Sequence, residues 1–358
     1  MIVRRVLVRA VQVPMRRPLA TSARVVDIAP LLLVDVETEI GIVGRAYLFC
    51  YDALGQRLMA EVLEDAAALV SGATVDPREL RAKLARRWRL FGTAGPAAMA
   101  LAGLDVALWD ALAQEAGQPL ARFLGAELVA LPCYNSNGLG VIGPASAAAE
   151  AAELVEEGYD EIKLRLGYAT LDEDLLVVRA VRSAVDDGVR VVVDYNQLLD
   201  RDEGLRRCAS LDGERLGWIE EPIAHDDFAG AAAIAARVET PLQIGENLPS
   251  AYAVEAALAA GASDLLMFDL LRIGGVSGWL DAARVVAHHR VPLSSHLFPE
   301  VSVHLLAASP TRDRIEMVDW AAPILQEPLR VRDGKVAAPN RPGTGVCWDE
   351  DAVKRYSC

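Results

Sequence analysis

Val191-Val192-Val193-Asp194 and Gly217-Trp218-Ile219-Glu220 are short apolar runs, each closed by a carboxylate, and Leu242-Gln243-Ile244-Gly245-Glu246 repeats the pattern. The closing residues stand 26 positions apart both times. That interval holds one strand, one helix and their loops. Working outward, similar runs end at Cys133-Tyr134-Asn135, Ile162-Lys163-Leu164-Arg165, Leu265-Leu266-Met267-Phe268-Asp269, Pro292-Leu293-Ser294-Ser295-His296 and Arg314-Ile315-Glu316, which makes eight. Helical patterns lie between them, such as Leu171, Leu175, Val178, Val181 and Val185 at steps of 4, 3, 3 and 4, ended by Gly188. Strands alternating with helices predict a parallel α/β sheet, and eight such units predict a closed (β/α) barrel. The eighth helix has the weakest pattern.

The rest of the chain reads differently. Residues 1–125 begin with strand-like alternation and continue into helices such as 97–115, which predicts an α+β capping domain. The barrel is expected over 126–320, and 321–358 as a tail packing back on the capping domain. Met1-Ile2-Val3-Arg4-Arg5-Val6-Leu7 reads as a strand, since Gln12 and Pro14 break the apolar run that a signal peptide needs. With 53% hydrophobic and 24% charged residues among 358, the chain is neither disordered nor a disulfide mini-protein. A net charge of −14 argues against sequence-independent nucleic-acid binding, which needs basic stripes. Five scattered cysteines predict reduced thiols and a cytoplasmic protein. Apolar stretches look interrupted by charge before about 18 residues, so no membrane span is expected.

In a (β/α) barrel the active site lies at the C-terminal ends of the strands. The residues closing them here are Lys163, Asp194, Glu220, Glu246, Asp269, His296 and Glu316, separated by 31, 26, 26, 23, 27 and 20 positions. Each interval is about one unit, so all seven face one mouth. Asp194, Glu220 and Glu246 close successive strands, and three converging carboxylates repel unless a hard divalent cation joins them, which suits Mg²⁺. Asp269 and His296 close adjacent strands, so the carboxylate can orient the imidazole as a base. A non-catalytic carboxylate-binding barrel would not require such a pair. Lys163 and Arg165 share a strand face. Lys163 is one of only four lysines, against 32 arginines.

These residues, with Val193-Asp194-Tyr195-Asn196-Gln197, Trp218-Ile219-Glu220-Glu221-Pro222, Gly245-Glu246-Asn247, Ile273-Gly274-Gly275-Val276, Ser294-Ser295-His296-Leu297-Phe298 and Tyr47-Leu48-Phe49-Cys50-Tyr51, resemble the mandelate racemase family of the enolase superfamily. The resemblance implies one Mg²⁺ per active site, with Mn²⁺ as an alternative, on Asp194, Glu220 and Glu246. It implies His296, oriented by Asp269, as the base on one face of a 2-hydroxycarboxylate, and an enediolate intermediate. Lys163 and a protonated Glu316 would bind the substrate carboxylate. Asn196 and Ser136 would add polar contacts, and Leu19, Val25 and Tyr51 would enclose the remainder. It further implies a racemase or epimerase and a homo-oligomer, an octamer.

One position departs from the family pattern, which is Lys-x-Lys on the second strand. Arg165 replaces the second lysine, and a guanidinium stays charged to about pH 12 and beyond. Two readings follow. Either the change is drift in an arginine-rich sequence, or the site is one-sided and suits an acid-sugar dehydratase, with Arg24 recruiting a polar distal group. The Arg272-Ile273-Gly274-Gly275-Val276 turn reads as a tight loop or an anion-facing helix start.

Overall fold

The computed structural model describes residues 1–21, 24–90 and 92–358. A three-stranded antiparallel sheet opens the chain, β1 (Val3–Ala20), β2 (Val25–Thr38) and β3 (Val43–Phe49), in that order. Helices α1 (Ala53–Val70), α2 (Pro77–Arg87), α3 (Pro96–Glu115) and α4 (Leu120–Phe123) follow. The side chains of Asp52 and Asp76 accept from Gly55 N and Glu79 N, so α1 and α2 begin at acidic caps. Gly44 lets α3 meet the sheet, because a Cβ there would lie 2.0 Å from the Ala107 carbonyl oxygen.

Helix α3 corrects the reading of apolar stretches. Among the described residues it is the one helix long and apolar enough to cross a membrane, and 72% of its apolar window is buried within the protein. Its acidic residues Asp105 and Asp110 are buried as well. Asp105 accepts from Ser277 N and Oγ, and Asp110 from Arg45 N and Thr344 Oγ1. It is a core helix clamped between the sheet, the barrel and the tail.

The barrel strands are β4 (Ala130–Asn135), β5 (Glu161–Arg165), β6 (Arg190–Asp194), β7 (Ile219–Glu220), β8 (Leu242–Ile244), β9 (Leu265–Asp269), β10 (Leu293–His296) and β11 (Ile315–Met317). Neighbours from β4 to β10 pair in parallel, and β11 pairs with β4. Closure between β10 and β11 runs through the chain just before β11, with Leu293 N donating to Thr311 O and Ser295 N to Arg314 O. Crossovers are α5 (Pro144–Glu156), α6 (Leu171–Ala184), α7 (Arg201–Leu211), α8 (Phe228–Ala235), α9 (Ala251–Ala259), α10 (Gly275–His289) and α11 (Pro299–Ala307). Thr170 and Glu173 form a capping box at α6.

No eighth crossover helix appears among the described residues. After β11 the chain makes a 3-10 turn at Ala322–Ile324, then β12 (Lys335–Ala337), antiparallel to β4, and α12 (Glu350–Tyr356). The tail also meets the first sheet. Trp348 Nε1 donates to Asp35 Oδ1 at 2.7 Å, and Arg9 pairs with Glu350 at 2.6 Å. Inside the barrel, Tyr134 and Trp218 pack edge to face with centroids 5.2 Å apart, beside Val192. This layer is the floor of the mouth.

Candidate active site

Asp194 ends β6 and Glu220 ends β7, while Glu246 lies two residues beyond β8. Gly245, at φ +124, makes the bend that aims Glu246 inward, and a Cβ there would strike the Met267 carbonyl at 2.5 Å. Carboxylate oxygens of the three residues lie within 4.8 Å of one another, all buried. An all-oxygen, closely grouped donor set of this kind fits Mg²⁺. Around it, Trp218 Nε1 donates to Glu220 Oε2 at 3.2 Å, and Asn196 N and Nδ2 donate to Asp194 at 2.7 and 2.9 Å.

Lys163 Nζ sits among carboxylates, 2.9 Å from Glu220, 3.3 Å from Asp194 and 2.7 Å from Glu316. Burial disfavours its charge, yet Glu220, Glu316 and Asp194 outweigh that and hold its pKa well above the ordinary lysine value. His296 Nδ1 lies 2.8 Å from Asp269 Oδ2, and Nε2 lies 3.0 Å from Glu246 Oε2. Burial opposes its protonation, but Glu246 and Glu316, then Asp269, prevail and raise its pKa well above 6.5. Asp269 Oδ1 also accepts from Leu271 N and Arg272 N, which fixes it as an orienter.

Glu316 corrects an expectation. Burial favours its neutral acid, but Lys163 and His296 hold it ionised, below the usual carboxylate range. Leu297 N donates to its Oε2 at 2.7 Å, a bond that also favours the anion. Glu221, next to Glu220, is the opposite case. Burial first, then Glu246, push its pKa above the ordinary value despite bonds from Gly245 N and Asn247 Nδ2.

Two family models cover most of the chain. Residues 3–125 match the mandelate racemase / muconate lactonizing enzyme N-terminal domain, and 146–352 match the enolase C-terminal domain-like family. The chain belongs to the mandelate racemase and muconate lactonizing enzyme family of the enolase superfamily. It is 33% identical to L-talarate/galactarate dehydratase of Salmonella typhimurium over 323 residues, 90% of this chain and 81% of that one. A solved enolase from alpha proteobacterium BAL199, with bound magnesium, superposes with TM-score 0.97 at 39% identity, covering 100% of this chain and 99% of the other. An enolase from Bradyrhizobium, complexed with magnesium and mandelic acid, gives 0.94 at 38%, covering 100% and 98%.

In this family member a cavity of about 190 Å³ opens above the carboxylates. It is lined by Leu19, Thr21, Arg24, Val26, Phe49, Tyr51, Lys163, Arg165, Asp194, Asn196, Glu246, Arg272, His296, Leu297 and Trp320. Val25 does not line it and is 66% exposed, while Val26 does. Successive residues of β2 face opposite sides, so the expectation was off by one. Ser136 is buried behind Arg165, whose Nη2 donates to its hydroxyl at 3.1 Å, and is not part of the lining. Arg24 donates to Asp52 at 3.1 Å and to the Tyr51 carbonyl, so its charge is already engaged.

Sequence reasoning missed Thr21, Phe49, Arg272, Leu297 and Trp320. Phe49, Arg272 and Leu297 lay inside quoted motifs, but nothing in their spacing marked them as pocket residues. One further signal lies in the backbone. Tyr51, Asn196, Glu221, Leu297 and Phe298 are non-glycine residues with positive φ, all near the mouth. Such conformations persist where the surroundings enforce them.

Proposed function

We propose that this enzyme removes the α-proton of a 2-hydroxycarboxylate from one face, with Mg²⁺ as cofactor and His296 as base, and then expels the C3 hydroxyl as water. The observation carrying this reading is the bonding of Arg165. Its guanidinium donates to Gly138 O at 2.9 Å and to Ser136 O and Oγ at 3.3 and 3.1 Å. Three acceptors fix its position, and a guanidinium offers charge and no base. It stands on the second barrel strand and His296 on the seventh, across the mouth.

Mg²⁺ held by Asp194, Glu220 and Glu246 would polarise the substrate carboxylate and acidify C2. His296 Nε2 takes the C2 proton, and the electron pair moves into the carboxylate to give an enediolate. Asp269 on Nδ1 orients the ring so that Nε2, which faces Glu246 Oε2 at 3.0 Å, is the nitrogen that accepts it, and Glu246 and Glu316 stabilise the imidazolium. Lys163, kept charged, faces the developing negative charge. The enediolate pair then forms the C2–C3 double bond as the C3–O bond breaks. The imidazolium returns its proton to the departing hydroxide, and the enol tautomerises to a 2-oxo-3-deoxy acid. The talarate/galactarate dehydratase relative supports this outcome.

The second reading is a racemase or epimerase, which an apolar wall favours. Leu19, Val26, Phe49, Leu297 and Trp320 line the cavity, and a 38% identical relative is complexed with mandelic acid. ¹H NMR in D₂O with a panel of 2-hydroxy acids separates the two. Loss of water with one-face exchange supports the dehydratase, and inversion at C2 supports the racemase. No exchange with any acid overturns both.

A further inference from the structure

Arg272 belongs to a motif that the reaction above does not use. It follows β9, three residues after Asp269, and its backbone N–H donates to Asp269 Oδ1 at 2.9 Å. Its guanidinium spans two segments. Nη1 donates to Glu246 Oε1 at 3.1 Å, and Nη2 donates to the Tyr51 hydroxyl oxygen at 2.7 Å. The guanidinium carbon also lies 5.3 Å from the centroid of the Tyr51 ring. Tyr51 comes from the chain between β3 and α1, with φ +64.

Because the phenol oxygen accepts from Arg272, its own proton points elsewhere, and no described residue accepts it. Tyr51 lines the reaction cavity with His296 and Asn196, so its side chain borders the space a substrate fills. Arg272 sets that donor one guanidinium away from the ligand Glu246. Mg²⁺ held by the carboxylate trio would take the substrate carboxylate and C2 oxygen beside Lys163, which leaves the C3 oxygen as the next polar atom along the substrate.

We infer that Arg272 is a positioning residue that turns the Tyr51 hydroxyl into a hydrogen-bond donor to the C3 oxygen of the substrate, so that the pair selects substrates carrying that oxygen. This rests on the proposed chemistry at C2. A site built to bond a hydroxyl discriminates against the analogue lacking it, since its own donor is then left unpaired.

The experiment uses two pairs of acids differing by one C3 hydroxyl: 2,3-dihydroxy-3-phenylpropanoate against 3-phenyllactate, and glycerate against lactate. For the unmodified protein, Tyr51→Phe and Arg272→Lys, kcat and KM for α-proton exchange in D₂O are measured with each, together with phenylpyruvate formation. The unmodified protein should prefer the C3-hydroxylated acid by roughly tenfold or more in kcat/KM. That ratio should fall toward one in both variants, since lysine cannot fork to Glu246 and Tyr51 together. A merely structural role would slow both members of a pair alike, so an unchanged ratio in either variant overturns the inference. Equal use of both acids by the unmodified protein overturns it too. If that protein exchanges none of the four acids, the chemistry at C2 fails first and the inference falls with it.

Discussion

Arg165 is bonded to Ser136 through its guanidinium, at 3.1 Å to the hydroxyl and 3.3 Å to the carbonyl oxygen, and this pairing keeps a permanent cation across the mouth from His296. A lysine at the same place could lose its proton and act as a base. An arginine there cannot.

Exchange with D₂O should therefore be fast for the enantiomer whose C2 proton faces His296 and slower by about 10²–10⁴ for the other, the usual cost of a missing general base. His296→Asn should abolish the fast exchange, and Arg165→Lys should raise the slow one toward parity. Both rates follow from ¹H NMR of resolved enantiomers. Equal exchange of the two by the unmodified protein would refute the one-sided site.

Asp194, Glu220 and Glu246 should each be required for activity, and EDTA should abolish it. In Asp194→Ala, Glu220→Ala and Glu246→Ala turnover should be lost while the far-UV circular dichroism of the barrel is kept. Mg²⁺ should raise the Tm of the unmodified protein, by the equivalent of about 2.7 kcal/mol at a hundred times its Kd, because it binds the folded state alone. Full turnover after EDTA treatment would remove the metal assignment.

Trp218 ties the barrel floor to the ligand Glu220 through its indole N–H. Trp218→Phe keeps most of the buried ring and deletes that donor. Partners that orient a metal ligand typically contribute 10–100-fold to affinity. Calorimetric titration with Mg²⁺ should thus show roughly that loss, and unchanged affinity would confine Trp218 to packing.

What was legible in the sequence was whatever repeats along it. Each strand is a short apolar run with a polar end, so the barrel and residues such as Asp194, Glu220 and His296 could be read from spacing alone. What was hidden depends on contacts between distant segments. Arg272 and Tyr51 lie 221 positions apart, and nothing local to either announces their bond. Val25 and Val26 are chemically identical, so only the register of β2 against β1 decides which faces the cavity. Helix α3 looked charge-interrupted as a string, yet its two aspartates are buried against Ser277, Arg45 and Thr344. The eighth helix failed for a related reason: the last strand hands the chain to a tail that pairs with β4 and reaches back to the first sheet.

The junction of barrel, cap and tail should make stability depend on pH through His304. This residue lies on α11 and is fully buried. Ala121 N donates to its Nδ1 at 3.2 Å, and its Nε2 lies 3.0 Å from Thr344 O. Nδ1 is an acceptor, so Nε2 carries the proton and the ring is neutral. Protonating Nδ1 would break the bond to Ala121 and place a charge in the core. Burial accordingly lowers the pKa from 6.5 to about 4, although the Thr344 carbonyl pulls the other way. The unfolded chain then binds the extra proton between those values and the folded one does not. Stability from this site is complete above pH 6.5 and is lost as pH falls toward 4, by ~3 kcal/mol in all. Urea unfolding across pH 7 to 4 should show that slope, and His304→Gln should flatten it. An equal slope in the variant would assign the acid sensitivity to other groups.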